Sequence, residues 1–225
     1  MNEDAKLKGR MVFLDTETTG LSPSEGHKII EIGCVETIDG VITGNNFHVY
    51  LNPARKVDAG SFAVHGLSDA FLADKPVFSV IVDDFLSYLQ NTTLVIHNAS
   101  FDMGFINNEL SLISRPKLTN EVIDSVSVAK KKFPGSPASL DALCKRFNIS
   151  LENRTLHGAL IDSTLLANVY INLCGGNQVG FFDAPPAAAE QVFEPQAPSY
   201  NSTFNIVVIS PTPDELLAHE KIMQF

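Results

Sequence analysis

The sequence predicts a mixed α/β domain, with strands first and then helices alternating with short strands, followed by a linker and a short tail. Three observations point there. Two β-rich runs meet at Asp39-Gly40, helically spaced apolar residues alternate with short apolar runs from Val80 onward, and the composition changes abruptly at Gly175-Gly176. Hairpin-linked strands followed by such alternation describe a mixed central sheet with helices packed on it.

Met11–Leu14 is a short apolar run ending at Asp15, the pattern of a buried strand. Ile29–Ile38 and Val41–Leu51 are β-rich, and the Asp-Gly between them is a strong hairpin signal. These runs predict three antiparallel strands. Val80–Leu89 places Ile81, Phe85 and Leu89 at helical spacing, and Leu94-Val95-Ile96 follows as a strand. Phe101–Leu112 is helical by spacing, Glu121–Ile123 a strand edge, and Ser139–Phe147 a helix. Gly158–Leu173 carries Ile161, Leu165, Leu166, Val169 and Leu173 and predicts an amphipathic helix stopped by Gly175-Gly176. The expected order is βββαβαβαα, ending near residue 175.

Beyond residue 175 the prolines Pro185, Pro186, Pro195 and Pro198 and an alanine run describe a flexible linker over 176–203. Phe204–Ser210 is then β-branched and apolar, and Thr212-Pro213-Asp214-Glu215 is a helix-start signature. An element of this size cannot bury its own apolar face. The segment 204–225 therefore reads as a docking tail.

With 225 residues, 44% of them hydrophobic and 19% charged, the chain has the composition of an ordinary globular protein. Its apolar runs fall well short of the roughly 20 residues needed to span a bilayer. The charged start leads into no signal region, so a cytoplasmic location is expected. Cys34, Cys144 and Cys174 are scattered, which argues against a disulfide framework or a zinc site and for free thiols. The net charge of −10 has the wrong sign for unaided binding to a phosphate backbone.

The chemistry begins at Asp15 and Glu17. Two residues apart on an extended chain, they point to one face. Adjacent carboxylates repel unless cations lie between them, and divalent ions held by carboxylates are the usual means of phosphodiester cleavage. Asp102 follows a strand and turn in His97-Asn98-Ala99-Ser100-Phe101-Asp102, at the start of a helix. Asp162 lies within the amphipathic helix beside its apolar stripe, an expensive place for an unpaired charge. His157 precedes it at the helix entrance.

Asp15-Thr16-Glu17-Thr18-Thr19-Gly20, the His97–Asp102 run and His157-x4-Asp162 together resemble the three-motif signature of DEDDh exonucleases. The wider text (Glu-Gly-His-Lys-Ile-Ile-Glu-Ile-Gly from Glu25, Ser-Leu-Asp-Ala-Leu-Cys from Ser139, Arg-Thr-Leu-His-Gly-Ala-Leu from Arg154) is similar to the proofreading epsilon subunits of bacterial DNA polymerase III over about residues 10–175. The resemblance implies a ribonuclease H-like fold and 3′→5′ cleavage of DNA. It also implies that Asp15, Glu17, Asp102 and Asp162 bind two Mg²⁺ or Mn²⁺ ions and that His157 is the general base. Substrate contacts are implied for Asp15, Thr16, Glu17, Asp162 and for His65 in Val64-His65-Gly66. Relatives often carry an acid where this chain has Gly60.

The same resemblance addresses the acidic charge. Lys130-Lys131-Lys132, Lys145-Arg146 and Arg154 are the main local concentrations of positive charge in the helical half, and the triplet reads as a solvated helix face. A proofreading enzyme has its frayed, single-stranded DNA 3′ end delivered by a polymerase, so effective concentration replaces affinity. Gln178-Val179-Gly180-Phe181-Phe182 resembles the clamp-binding pentapeptide of replication proteins, with Gln178, Phe181 and Phe182 as its contacts on a β sliding clamp. The tail resembles the segment that binds the polymerase α subunit, and a small θ-like subunit is a further implied partner. Two other readings are a stand-alone nuclease acting on RNA or oligonucleotide ends, and a non-catalytic polymerase-stabilising subunit. The linker and tail argue against the first; the full acidic set with His157 argues against the second.

Overall fold

In the computed structural model of the chain, the described residues are 7–152, 154 and 156–175. The expected linker (176–203), its Gln178, Phe181 and Phe182, and the expected tail (204–225) lie outside them.

Strand β1 (Arg10–Thr18) runs past the apolar stretch that predicted it and contains both Asp15 and Glu17. It pairs antiparallel with β2 (Ile29–Ile38), placing Asp15 opposite Gly33 and Glu17 opposite Glu31. At Asp39-Gly40 both residues adopt positive φ, 50° and 79°, the twist that a two-residue hairpin requires. The return run, expected as one strand, is split into β3 (Val41–Ile42) and β4 (Phe47–Tyr50). Between them the Thr43 hydroxyl and the Asn45 amide donate to Glu36 Oε1 at 2.8 and 3.2 Å. These side-chain bonds compete with the ladder. Both pieces still pair with β2.

Two helices follow that periodicity does not reveal, α1 (Ala59–His65) and α2 (Asp69–Leu72), each too short to show an apolar stripe. The expected alternation then appears as α3 (Phe78–Leu89), β5 (Thr93–Ile96), α4 (Ala99–Leu112) and β6 (Val122–Asp124). A further unforeseen helix, α5 (Ser125–Lys132), precedes α6 (Leu140–Arg146) and α7 (Ala159–Leu173). The lysine triplet forms the exposed last turn of α5, where Lys132 Nζ donates to the Leu173 carbonyl at 2.6 Å and so caps α7.

The sheet order is β3-β2-β1-β5-β6, with β4 also on β2; β1, β5 and β6 are parallel. The pleat of β1 feeds two cores. Val12 and Leu14 face Phe85 and Phe105 of α3 and α4, while Met11 and Phe13 face Leu143, Leu166 and Tyr170 of α6 and α7. A strand covered on both sides has to be apolar at every position, which is why the sequence shows a run there rather than alternation. Helix α7 is buried more widely than a single stripe requires, yet Ile161, expected on that stripe, is 42% exposed at the helix's first turn. Among the described residues, no helix is long and apolar enough to cross a membrane. The whole is a mixed sheet flanked by helices, the ribonuclease H-like architecture that the motifs implied.

Candidate active site

The parallel pairing of β1 with β5 ends at Leu14↔Ile96. Beyond it the two strands part, and the crevice at the carboxyl ends of parallel strands is the usual place for a ligand in such sheets. Asp15 and Glu17 stand on the β1 side of this crevice. On the other side, β5 leads through Asn98, in the left-handed conformation at φ 69°, into α4. That turn sets Asp102 in the helix's first turn, 2% exposed. Thr16 has the opposite facing to its acidic neighbours, and its hydroxyl donates to Asp102 Oδ1 at 2.7 Å. The Thr16 hydroxyl is thereby engaged by a neighbouring acid, and Thr16 also lines the cavity described below.

The fourth carboxylate arrives through close backbone packing. A Cβ on Gly33 would lie 2.2 Å from the backbone of Ala159 and Leu160, so only glycine lets the start of α7 rest on β2. Ser163 Oγ donates to the Gly33 carbonyl at 2.8 Å and fixes the contact. Asp162, one position earlier and 5% exposed, is thus set beside Glu17. Ligand atoms of Glu17, Asp162 and His157 lie within 4.8 Å of one another. The His157 ring is half exposed at the helix entrance, with Nδ1 3.1 Å from Asp162 Oδ2. Its backbone N–H donates to the Val64 carbonyl at 3.2 Å, tying this entrance to the Val64-His65-Gly66 segment.

The electrostatics are those of a site short of positive charge. Burial, then Asp102, Glu17 and Asp162, hold the Asp15 carboxyl well above the usual carboxylate range. Burial, then Glu31 and Asp162, push Glu17 up to about 8. Burial pushes Asp102 up to about 7 despite the Thr16 hydrogen bond. Carboxyls that protonate this readily are poised to exchange protons for a hard cation. The donor set is all oxygen apart from one imidazole, which suits a divalent metal ion.

Beside the cluster, Thr16, Glu17, His27, Val64, His65 and Phe101 line a cavity of about 510 Å³. His65 is buried, its Nδ1 accepting from Leu67 N–H at 3.0 Å. Its Nε2 is buried without a hydrogen-bond partner among the described residues. Burial lowers the pKa of His65, partly offset by the Thr18 backbone. Gly60 lines the same cavity, with nothing within 4 Å of an added Cβ. A larger cleft of about 700 Å³ opens around Arg10, Gln90 and Asn120, but none of the four carboxylates or His157 lines it. Size does not select the site here.

The fold thus gathers Asp15, Glu17, Asp102, Asp162 and His157 at one crevice, with Thr16 and His65 at its margin. Two neighbours escaped the sequence reading. Glu31 is 3% exposed, lies opposite Glu17 and is 2.7 Å from His48 Nε2; β2 is apolar and buried almost throughout, so no alternation marked it. Arg154 donates from Nε to Asp162 Oδ1 at 2.5 Å and from Nη2 to Oδ2 at 2.8 Å. It stands in a loop without periodicity, so only its motif context could have marked it.

The family model described as Exonuclease matches residues 12–170. The chain is 48% identical over 220 residues to "DNA polymerase III subunit epsilon" of Salmonella typhimurium, covering 94% of this chain and 90% of the relative. It is 43% identical over 218 residues to the protein of that name from Rickettsia felis, covering 95% of each. Among solved structures it is similar to exonuclease X in complex with 5′ overhanging duplex DNA, at 30% identity and TM-score 0.60, covering 74% of this chain and 92% of that one. The nuclease domain of a DEDDh family member bound to rAMP shares the fold at TM-score 0.66 and 16% identity, over 76% of this chain and 94% of that one. The chain belongs to the exonuclease family and, within it, to the family of DNA polymerase III epsilon subunits.

Proposed function

We propose that this chain removes misincorporated nucleotides from the 3′ end of DNA as the proofreading exonuclease of a replicative DNA polymerase III. The observation that carries this reading is the crevice itself, where four carboxylates meet and burial holds Asp15, Glu17 and Asp102 above the usual carboxylate range. In this reading Asp15, Glu17, Asp102 and Asp162 hold two Mg²⁺ or Mn²⁺ ions, which when bound activate the attacking water and stabilise the leaving 3′ oxygen. His157, at the mouth of the crevice, takes the proton from that water. Water adds to phosphorus, the bond to the 3′ oxygen breaks, and a nucleoside monophosphate leaves. His65 and the Thr16 segment, which line the neighbouring cavity, hold the terminal nucleotide.

Residues 1–175 carry catalysis in this proposal. The linker (176–203) offers Gln178, Phe181 and Phe182 to the β sliding clamp, and residues 204–225 bind the polymerase α subunit, with a small θ-like subunit as a further partner. The setting is the replisome in the cytoplasm. The name of the close relatives supports the polymerase partnership, and the net charge of −10 supports delivery over free DNA binding. The test compares degradation of a mismatched and a matched primer end, with and without polymerase and clamp. The expected result is cleavage that favours the mismatch and is strongly enhanced by the partners. Equal activity on RNA ends, indifferent to both partners, would instead support a stand-alone nuclease.

A further inference from the structure

The two-metal reading gives Arg154 no task. Its guanidinium takes both oxygens of Asp162, Nε–Oδ1 at 2.5 Å and Nη2–Oδ2 at 2.8 Å. Nη1 donates to Asp141 Oδ1 on α6, and Nη2 lies 2.9 Å from His157 Nδ1. The Arg154 side chain is 7% exposed, whereas Asp141 is half exposed at the rim. Arginine keeps its charge at every working pH, and its planar fork matches a carboxylate better than any other side chain. A divalent ion on Asp162 needs the same oxygens and repels the same charge. The two cations cannot both hold Asp162 in this arrangement.

We propose that Arg154 is a resident counter-ion that competes with the divalent cation for Asp162 and, when it lets go of Asp162 and keeps only its Asp141 partner, releases His157. The inference rests on the assignment of Asp162 as a metal ligand. The link to His157 follows from a single atom. His157 Nδ1 is 2.9 Å from Arg154 Nη2 and 3.1 Å from Asp162 Oδ2, and one nitrogen cannot accept from the first while donating to the second. With the guanidinium in place, Nδ1 is the acceptor that Nη2 requires. With the guanidinium held by Asp141 alone, Nδ1 is left to donate to Asp162 Oδ2 and Nε2 to accept.

The test is Mn²⁺ binding to the full chain, followed by the electron paramagnetic resonance of the free ion, with no substrate present. Arg154→Gln is expected to bind Mn²⁺ about tenfold more tightly, because a charge-assisted hydrogen bond no longer has to be broken. Asp141→Asn, which removes the negative charge that would hold the guanidinium once it leaves Asp162, is expected to shift affinity the opposite way. A purely structural role would weaken binding in both variants. Unchanged or weaker binding by folded Arg154→Gln overturns the inference. If that variant does not fold, Arg154→Lys keeps the charge but loses the two-pronged grip. It should also bind more tightly than the wild type, and equal or weaker binding overturns the proposal. A wild-type chain that binds no Mn²⁺ overturns the metal assignment, and the inference falls with it.

Discussion

Asp15 concentrates the logic of the site in one side chain. Its carboxyl is held well above the usual range by burial and by four other acids, so it is a liability to the fold alone and useful only toward a cation. Asp15→Asn is therefore expected to raise the thermal stability of chelator-treated protein while cutting kcat by about a thousandfold, since an ion's charge stabilisation is worth several kcal/mol. A variant that keeps most of its activity would contradict the metal role. Glu17 and Asp102 extend the argument to pH. Their folded values, about 8 and about 7, lie above the usual 4.5 and 3.8, so the folded chain holds protons that the unfolded chain releases. The contribution to stability is full below the unfolded values and is lost as pH rises through the folded ones. In chelator, the Tm should fall between about pH 5 and pH 8, and saturating Mn²⁺ should abolish the fall. A Tm that is flat across that window in chelator would refute this electrostatic picture.

Among the elements, the contact of α7 with β2 decides where Asp162 goes. Gly33→Ala sets a methyl 2.2 Å from the backbone of Ala159 and Leu160, and backbone cannot rotate away as a side chain can. The expected loss is about 1–3 kcal/mol in urea unfolding, with kcat falling because Asp162 and His157 move with the helix. Stability and activity equal to the wild type would show that α7 is not held there. The long elements were legible from pattern alone: β1, β2, α3, α4 and α7 all appear where their apolar residues predicted. The short ones were not. Helix α1 buries only His65 and α2 only Leu72, so neither leaves a periodic trace. The break between β3 and β4 is made by side-chain bonds to Glu36 that no local pattern records.

For the molecule as a whole, charge and length argue for division of labour. A chain of net charge −10 is a poor free ligand for DNA, and the described domain contains the whole acidic crevice. Deleting residues 200–225 is accordingly expected to leave cleavage of a short oligonucleotide within about twofold, while polymerase binding falls by far more than the tenfold that 1.4 kcal/mol represents. Loss of oligonucleotide cleavage would refute the division. The sequence by itself determined the fold class, because apolar period is a local property that each element displays alone. It also determined the catalytic candidates, because Asp15, Glu17, Asp102, His157 and Asp162 stand in motifs whose spacing survives without coordinates. Only the tertiary structure decided that Glu31 adds its charge to Glu17 and that Arg154 grips Asp162 and reaches His157. Those relations join residues across strand pairing and loop packing. Burial, which sets the price of every charge in the crevice, does not exist until the chain is folded.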